Sequence, residues 1–157
     1  MLPKTVVGFS ASDIEYYWRM LTWKGTEGID FHFTDCRLDG ESLREDEMFV
    51  KDRARERIGV TGKYALLIGE DTHYRYKYVC WEAAVAIELG CTIIGVNLDG
   101  ARQIVESKCP AVLMNIGAIF VPFSPLILAY ALVNYRRREQ GNWHLPEQIY
   151  RQLEFTI

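Results

Sequence analysis

The sequence predicts an α/β fold, a three-layer sandwich with a five-stranded parallel sheet between two helical layers. Three observations lead there. Short apolar, β-branched runs alternate along the chain with longer segments of helical period. Those runs are continuously apolar, as strands covered on both faces are. The chain has 157 residues, 49% of them apolar and 25% charged, enough for one domain over 1–157 with a full core.

The elements follow in order. "KTVVGFS", from Lys4, reads as a buried first strand. "SDIEYYWRMLTWK" carries Ile14, Trp18 and Leu21 at helical spacing, with Ser12 or Asp13 as N-cap. "IDFHFTD" alternates and reads as a second strand. "ESLREDEMFVKDRARERIG" is a charged helix with Leu43, Phe49 or Val50, Ala54 and Ile58 on one face, ended by Gly59. "KYALLIG" is a third strand and "TIIGVNL" a fourth, with a helix between them. "AIFVPF" is a fifth strand, a helix runs through Leu128 and Tyr135, and "LPEQIYRQL" is a last short helix. Strands alternating with helices imply a parallel sheet with helices on both faces, and five strands at this length imply the flavodoxin-like order. Ligands of such sheets bind outside the carboxyl ends of the strands. That rule selects Phe9 to Asp13, Thr34 to Asp39, Gly69 to Tyr78 and Asn97 to Arg102.

Several classes fall away. A formal charge of -3 is too mild for a nucleic-acid partner. Cys36, Cys80, Cys91 and Cys109 lie far apart with no C-x-x-C pair, which reads as reduced thiols of a cytoplasmic protein. Val112 to Val133 holds no charged residue, but Pro122 and Pro125 interrupt it, so a strand, a proline turn and a core helix explain it without a membrane span. His32 sits within a strand, His73 and His144 have no metal-spaced partners, and there is no G-x-S-x-G, P-loop or G-x-G-x-x-G. "REDEMFVKDRARER" is a solvated helix face with i,i+4 pairing. A phospho-receiver would need a lysine ending the fifth strand, where "VPFSP" has none.

The helix in "YKYVCWEAAVAIELG" holds two glutamates of different character. At 100° per residue, Val79, Ala83, Ala86 and Gly90 form the sheet-facing side, with Cys80 and Ile87 beside them. Glu88 falls on the far side with Trp81. Glu82 lies on the flank of the apolar stripe, near Val85 and Leu89, close to the helix start at the carboxyl edge of the sheet. That is a crevice position with partial desolvation. An acidic residue near a helix start is also a common dipole-stabilised surface feature, and position alone does not choose between the two.

The stretch from Leu66 to Asn97 resembles the TIR-like proteins of the bacterial Thoeris anti-phage system. The matching residues are Leu67-Ile68-Gly69, Thr72, Tyr78-Val79-Cys80-Trp81-Glu82 and Ile93-Ile94-Gly95-Val96. "VVGFSASD" is similar to that family's opening strand. Tyr78 stands where the family usually has Trp, Ala83 where it has a bulkier apolar residue, and the first loop is short. The resemblance implies a TIR-like, flavodoxin-like fold and cleavage of the nicotinamide–ribose bond of NAD, which is substrate and not cofactor. It implies Glu82 as the catalytic residue, and a cyclic ADP-ribose-type signal read by an effector protein. A phage-derived trigger and a homo-oligomer are further partners it implies.

The remaining loops have fitting parts. Phe9 can stack on a flat ring, and Ser10 and Ser12, with free N–H groups of the first turn, can hold a phosphate or ribose. Arg37, in "TDCRLDG", can pair with pyrophosphate or be a solvated loop charge. Tyr78 and Trp81 can wall a pocket or serve assembly, and Asp13 is either a helix cap or a ligand group. Two other readings stay open: a non-catalytic TIR-like interaction module, and a nucleoside deoxyribosyltransferase-like N-glycosidase.

Overall fold

The computed structural model describes residues 4–23, 32–34, 47–59, 61–73 and 77–153, without the side chains of Lys4, His32, Lys77 and Tyr78. Among these residues, six strands form one parallel sheet: β1 (Lys4–Gly8), β2 (His32–Thr34), β3 (Lys63–Ile68), β4 (Thr92–Asn97), β5 (Ala118–Pro122) and β6 (Asn142–His144). The helices are α1 (Ile14–Leu21), α2 (Glu47–Ile58), α3 (Lys77–Glu88), α4 (Pro125–Asn134) and α5 (Glu147–Gln152). Strand order is β2-β1-β3-β4-β5-β6, so the winding reverses between β1 and β3. Ligand crevices of doubly wound sheets open at that reversal. Register sets Val6 beside Tyr64 and Gly8 beside Leu66 there.

Strand alternation splits the core into two layers. Val7, Phe9, Ala65, Leu67, Ile94 and Val121 pack with α1, α4 and α5. Val6, Tyr64, Leu66, Ile68, Ile93 and Phe120 pack with residues of α2 and α3. In α2, Ala54 and Ile58 are buried as their spacing predicts, the Gly59 N–H closes the helix on the Arg55 carbonyl, and Lys51 pairs with Glu47 one turn away. The uncharged run resolves into β5, a turn and α4, whose first turn is capped by Ser124 accepting from the Ile127 N–H, with Pro125 behind it. Among the described residues no helix is long and apolar enough to cross a membrane. Cys80, Cys91 and Cys109 are free thiols, and burial pushes Cys109 up to about 12.

Two sequence expectations change. The sheet has six strands, not five. β6 is Asn-Trp-His, exposed throughout, so no apolar run marks it; its backbone ladder to β5 makes it a strand. The Asn115 side chain accepting from the Gly141 N–H and the Asn142 side chain accepting from the Asn115 N–H hold its start in place. In α1 the inward residues are Tyr17 and Met20, while Trp18 and Leu21 are 56% and 43% exposed. "IEYYWRML" is apolar or aromatic at most positions, so two stripes fit the same period, and only the packing of Phe9 on Tyr17 selects one.

Candidate functional site

The carboxyl ends of β1 and β3 carry two clusters, one on each face of the sheet. The first grows from the turn after β1. Ser10 is buried and extended (φ -72, ψ 148), and its hydroxyl lies 3.0 Å from that of Ser12. A 3-10 turn, Ala11–Asp13, leads into α1. Asp13 occupies the N-cap position of α1 but makes no capping bond. Its carboxylate turns to the segment after β3, where the Thr72 hydroxyl lies 3.5 Å from Oδ2. Thr72 is fully buried and accepts the Gly69 N–H at 2.8 Å. A Cβ on residue 69 would come within 2.5 Å of Asp13 Oδ2, so glycine there admits the carboxylate. Burial raises the Asp13 pKa, the Asp71 charge adds to the rise, Thr72 opposes it, and Glu70 adds a little more.

Beside this cluster lies a depression of about 170 Å³, lined among others by Asp13, Tyr16, Gly69, Glu70, Asp99 and Lys108. The Lys108 ammonium bridges Glu70 and Asp99, at 2.9 Å each, and so ties the segment after β3 to the segment after β4. Asn97, ending β4, donates to the carbonyls of Ala101 and Gln103 and shapes that second segment.

The second cluster lies under α3. Val79, Ala83 and Ala86 face the sheet as the periodicity predicts, and their small size brings the helix close. Glu88 is solvent-exposed and pairs with Arg55 at 3.2 Å. Glu82 is only 7% exposed, a deeper position than the flank of the stripe suggests. The Tyr64 hydroxyl donates to Glu82 Oε1 at 3.2 Å. A Cβ on Gly8 would lie 3.1 Å from the same oxygen, which locates the carboxylate at the carboxyl end of β1.

The predicted site residues therefore divide. Ser10, Ser12 and Asp13 share one turn, and Glu82 reaches the same sheet edge from the other layer. Trp81 is half-buried on α3. Phe9 does not offer an open ring face: it is 3% exposed and stacks on Tyr17 with centroids 4.8 Å apart, because alternation from Val7 turns it into the α1 layer. Tyr78 lies in α3, with its side chain outside the described residues, as is all of Arg37. Sequence reasoning missed Tyr64 and Gly8. A glycine inside the β-branched run "KTVVG" was the available signal, since such glycines mark close approach of another group.

Comparison with known proteins now bears on this edge. The family model described as Thoeris protein ThsB, TIR-like domain, matches residues 7–103, well over half of the chain. The chain belongs to this family. It is a TIR-like domain of a defence-related system, and the flavodoxin-like sheet agrees with that membership. The match takes in the end of β1 with all of β3, α3 and β4, and with them both clusters; β5, α4, β6 and α5 lie beyond it. A search among curated proteins finds no match.

Proposed function

We propose that this TIR-like domain consumes NAD, breaking the nicotinamide–ribose bond with Glu82 as the catalytic carboxylate and making a cyclic ADP-ribose-type signal for an effector protein. The observation that carries this reading is a glutamate 93% removed from solvent, held at the carboxyl end of β1 where the sheet winding reverses. Burying a carboxylate is costly, and an ordinary surface glutamate such as Glu88 sits in solvent on the same helix.

The chemistry needs little else. Nicotinamide leaves with the electron pair of the C1′–N bond and becomes neutral, so no general acid is required. The strain falls on the ribose, which becomes an oxocarbenium-like cation. A carboxylate beneath the ring stabilises that charge and accepts hydrogen bonds from the ribose hydroxyls. In the cyclising branch a nucleophilic group of the same molecule adds to C1′, any proton it carries passes to solvent, and water must be kept from the cation meanwhile. Ser10 and Ser12 supply hydroxyls at the same edge for a phosphate or ribose.

Mass spectrometry of small molecules from phage-challenged cells tests the reading. Cells with wild type should contain an ADP-ribose-like mass that Glu82→Gln cells lack, a loss of about 100-fold or more. Glu88→Gln should keep the signal. Identical nucleotide profiles in wild type and Glu82→Gln would refute it.

A further inference from the structure

Tyr64 poses a question that the packing of the core leaves unanswered. It stands near the start of β3, opposite Val6, and is fully buried. Its hydroxyl nevertheless reaches the end of β1, where a Cβ on Gly8 would overlap it. Val6 and Gly8 are two residues apart, about 7 Å along a strand, so the phenol ring lies along the sheet beneath α3. Phenylalanine would fill the same apolar volume with no polar atom to satisfy. A buried hydroxyl makes sense where an acceptor waits for it, and Glu82 Oε1 is 3.2 Å away.

Three elements thus converge on one carboxylate. β3 supplies the donor, β1 supplies the space by carrying glycine, and α3 supplies the glutamate. Glutamate has three rotatable side-chain bonds and a carboxylate with about four acceptor directions. A donor fixed to the sheet on one oxygen removes most of that freedom. The bond is longer than an ordinary hydroxyl–carboxylate contact, which leaves slack for a substrate to take up.

We infer that Tyr64 is a positioning residue of the Glu82 carboxylate, and that Gly8 is glycine to admit the Tyr64 hydroxyl. Tyr64 acts through Glu82, so this inference rests on Glu82 being the catalytic group of the proposed NAD chemistry. It adds a prediction that a packing role does not make. Removing the hydroxyl should lower turnover while leaving substrate binding and the fold in place.

The test uses the full chain as wild type, Tyr64→Phe and Gly8→Ala. With NAD, Tyr64→Phe should lose about 10- to 100-fold in kcat, as misplacement of a reacting group does, with KM within about twofold of wild type. Gly8→Ala keeps both side chains but evicts the hydroxyl, so it should show the same split. Unchanged kcat in folded Tyr64→Phe overturns the inference, as does a fall in melting temperature alone. A crystal structure of Tyr64→Phe separates this inference from the NAD reading. Displacement of the Glu82 carboxylate by about 1 Å, the scale at which geometry costs rate, supports positioning even where wild type proves inactive on NAD. An unmoved carboxylate overturns it, whatever the activity.

Discussion

Replacing Gly8 by alanine tests the fit between β1 and Tyr64 directly, and stability is the quantity to follow. Gly8 is not among the residues with positive φ, so alanine meets no backbone objection there. Fixing a glycine costs more entropy, and the substitution alone would gain about 0.4–1 kcal/mol. The new methyl, however, overlaps the Tyr64 hydroxyl and lies 2.8 Å from its ring Cζ. Carbon atoms rest at about 3.5–4.0 Å, so the ring must retreat by about 1 Å. Tyr64 is fully buried among Val6, Leu66 and Ala83, in a layer with little room to give. Overpacking of this kind costs about 1–3 kcal/mol, and disturbing the bond to Glu82 adds about 1 kcal/mol. The net is about 2 kcal/mol, or a fall of about 4–8 °C in melting temperature for a domain of this size. Thermal and urea denaturation of wild type, Gly8→Ala, Tyr64→Phe and the double variant measures the coupling. In the Tyr64→Phe background the worst overlap is gone, so the Gly8→Ala penalty should shrink by about 1 kcal/mol. Equal penalties in both backgrounds, within about 0.5 kcal/mol, would refute the claim that Gly8 makes room for the hydroxyl.

The other cluster yields two further expectations. Thr72→Val removes the hydroxyl that accepts the Gly69 N–H, leaves that buried donor unpaired and should cost about 1–3 kcal/mol in denaturation, with Thr72→Ser much milder. Asp13→Asn should stabilise the protein at neutral pH. The folded-state pKa of Asp13 is raised above 3.8, so its protonated form is favoured in the fold. The stability tied to that proton is fully present below pH 3.8 and is lost as pH rises through the folded value. Asparagine avoids the loss, so its gain in melting temperature should be largest near pH 7 and vanish below about pH 4. A gain that does not depend on pH would rule out the buried charge as its cause.

The fold was legible where burial writes a pattern. β1, β3, β4 and β5 are continuous apolar runs because both faces are covered, and α3 shows its small-residue stripe because it packs closely on them. β6 was illegible because all three of its residues face solvent. The site was legible in part. Glu82 stood out as a carboxylate off the solvent face of α3, but period alone underestimated its burial. The sequence places Asp13 at a helix start, yet its carboxylate goes to Thr72, a partner 59 residues away that no local rule supplies. Tyr64 was hidden for a related reason. A tyrosine in an apolar strand reads as core, and only register and the missing side chain of Gly8 reveal where its hydroxyl goes.

The two buried carboxylates at this edge are not equivalent, because their surroundings differ. Asp13 is buried, with Asp71 and Glu70 acting on it, and burial and both charges resist its ionisation. Its bond with Thr72 fixes the segment after β3 against the start of α1. Glu82 instead accepts from the Tyr64 hydroxyl, on the other face of the sheet. It also lies among apolar neighbours, Val79, Ala83 and Val85, where a negative charge acts on a nearby cation with little screening. On the proposed reading, the sheet separates a carboxyl tied to the segment after β3 from the carboxylate that meets the ribose cation. The first should tolerate asparagine, whose side-chain oxygen can still accept from Thr72. The second should not tolerate glutamine, which keeps the shape and loses the charge.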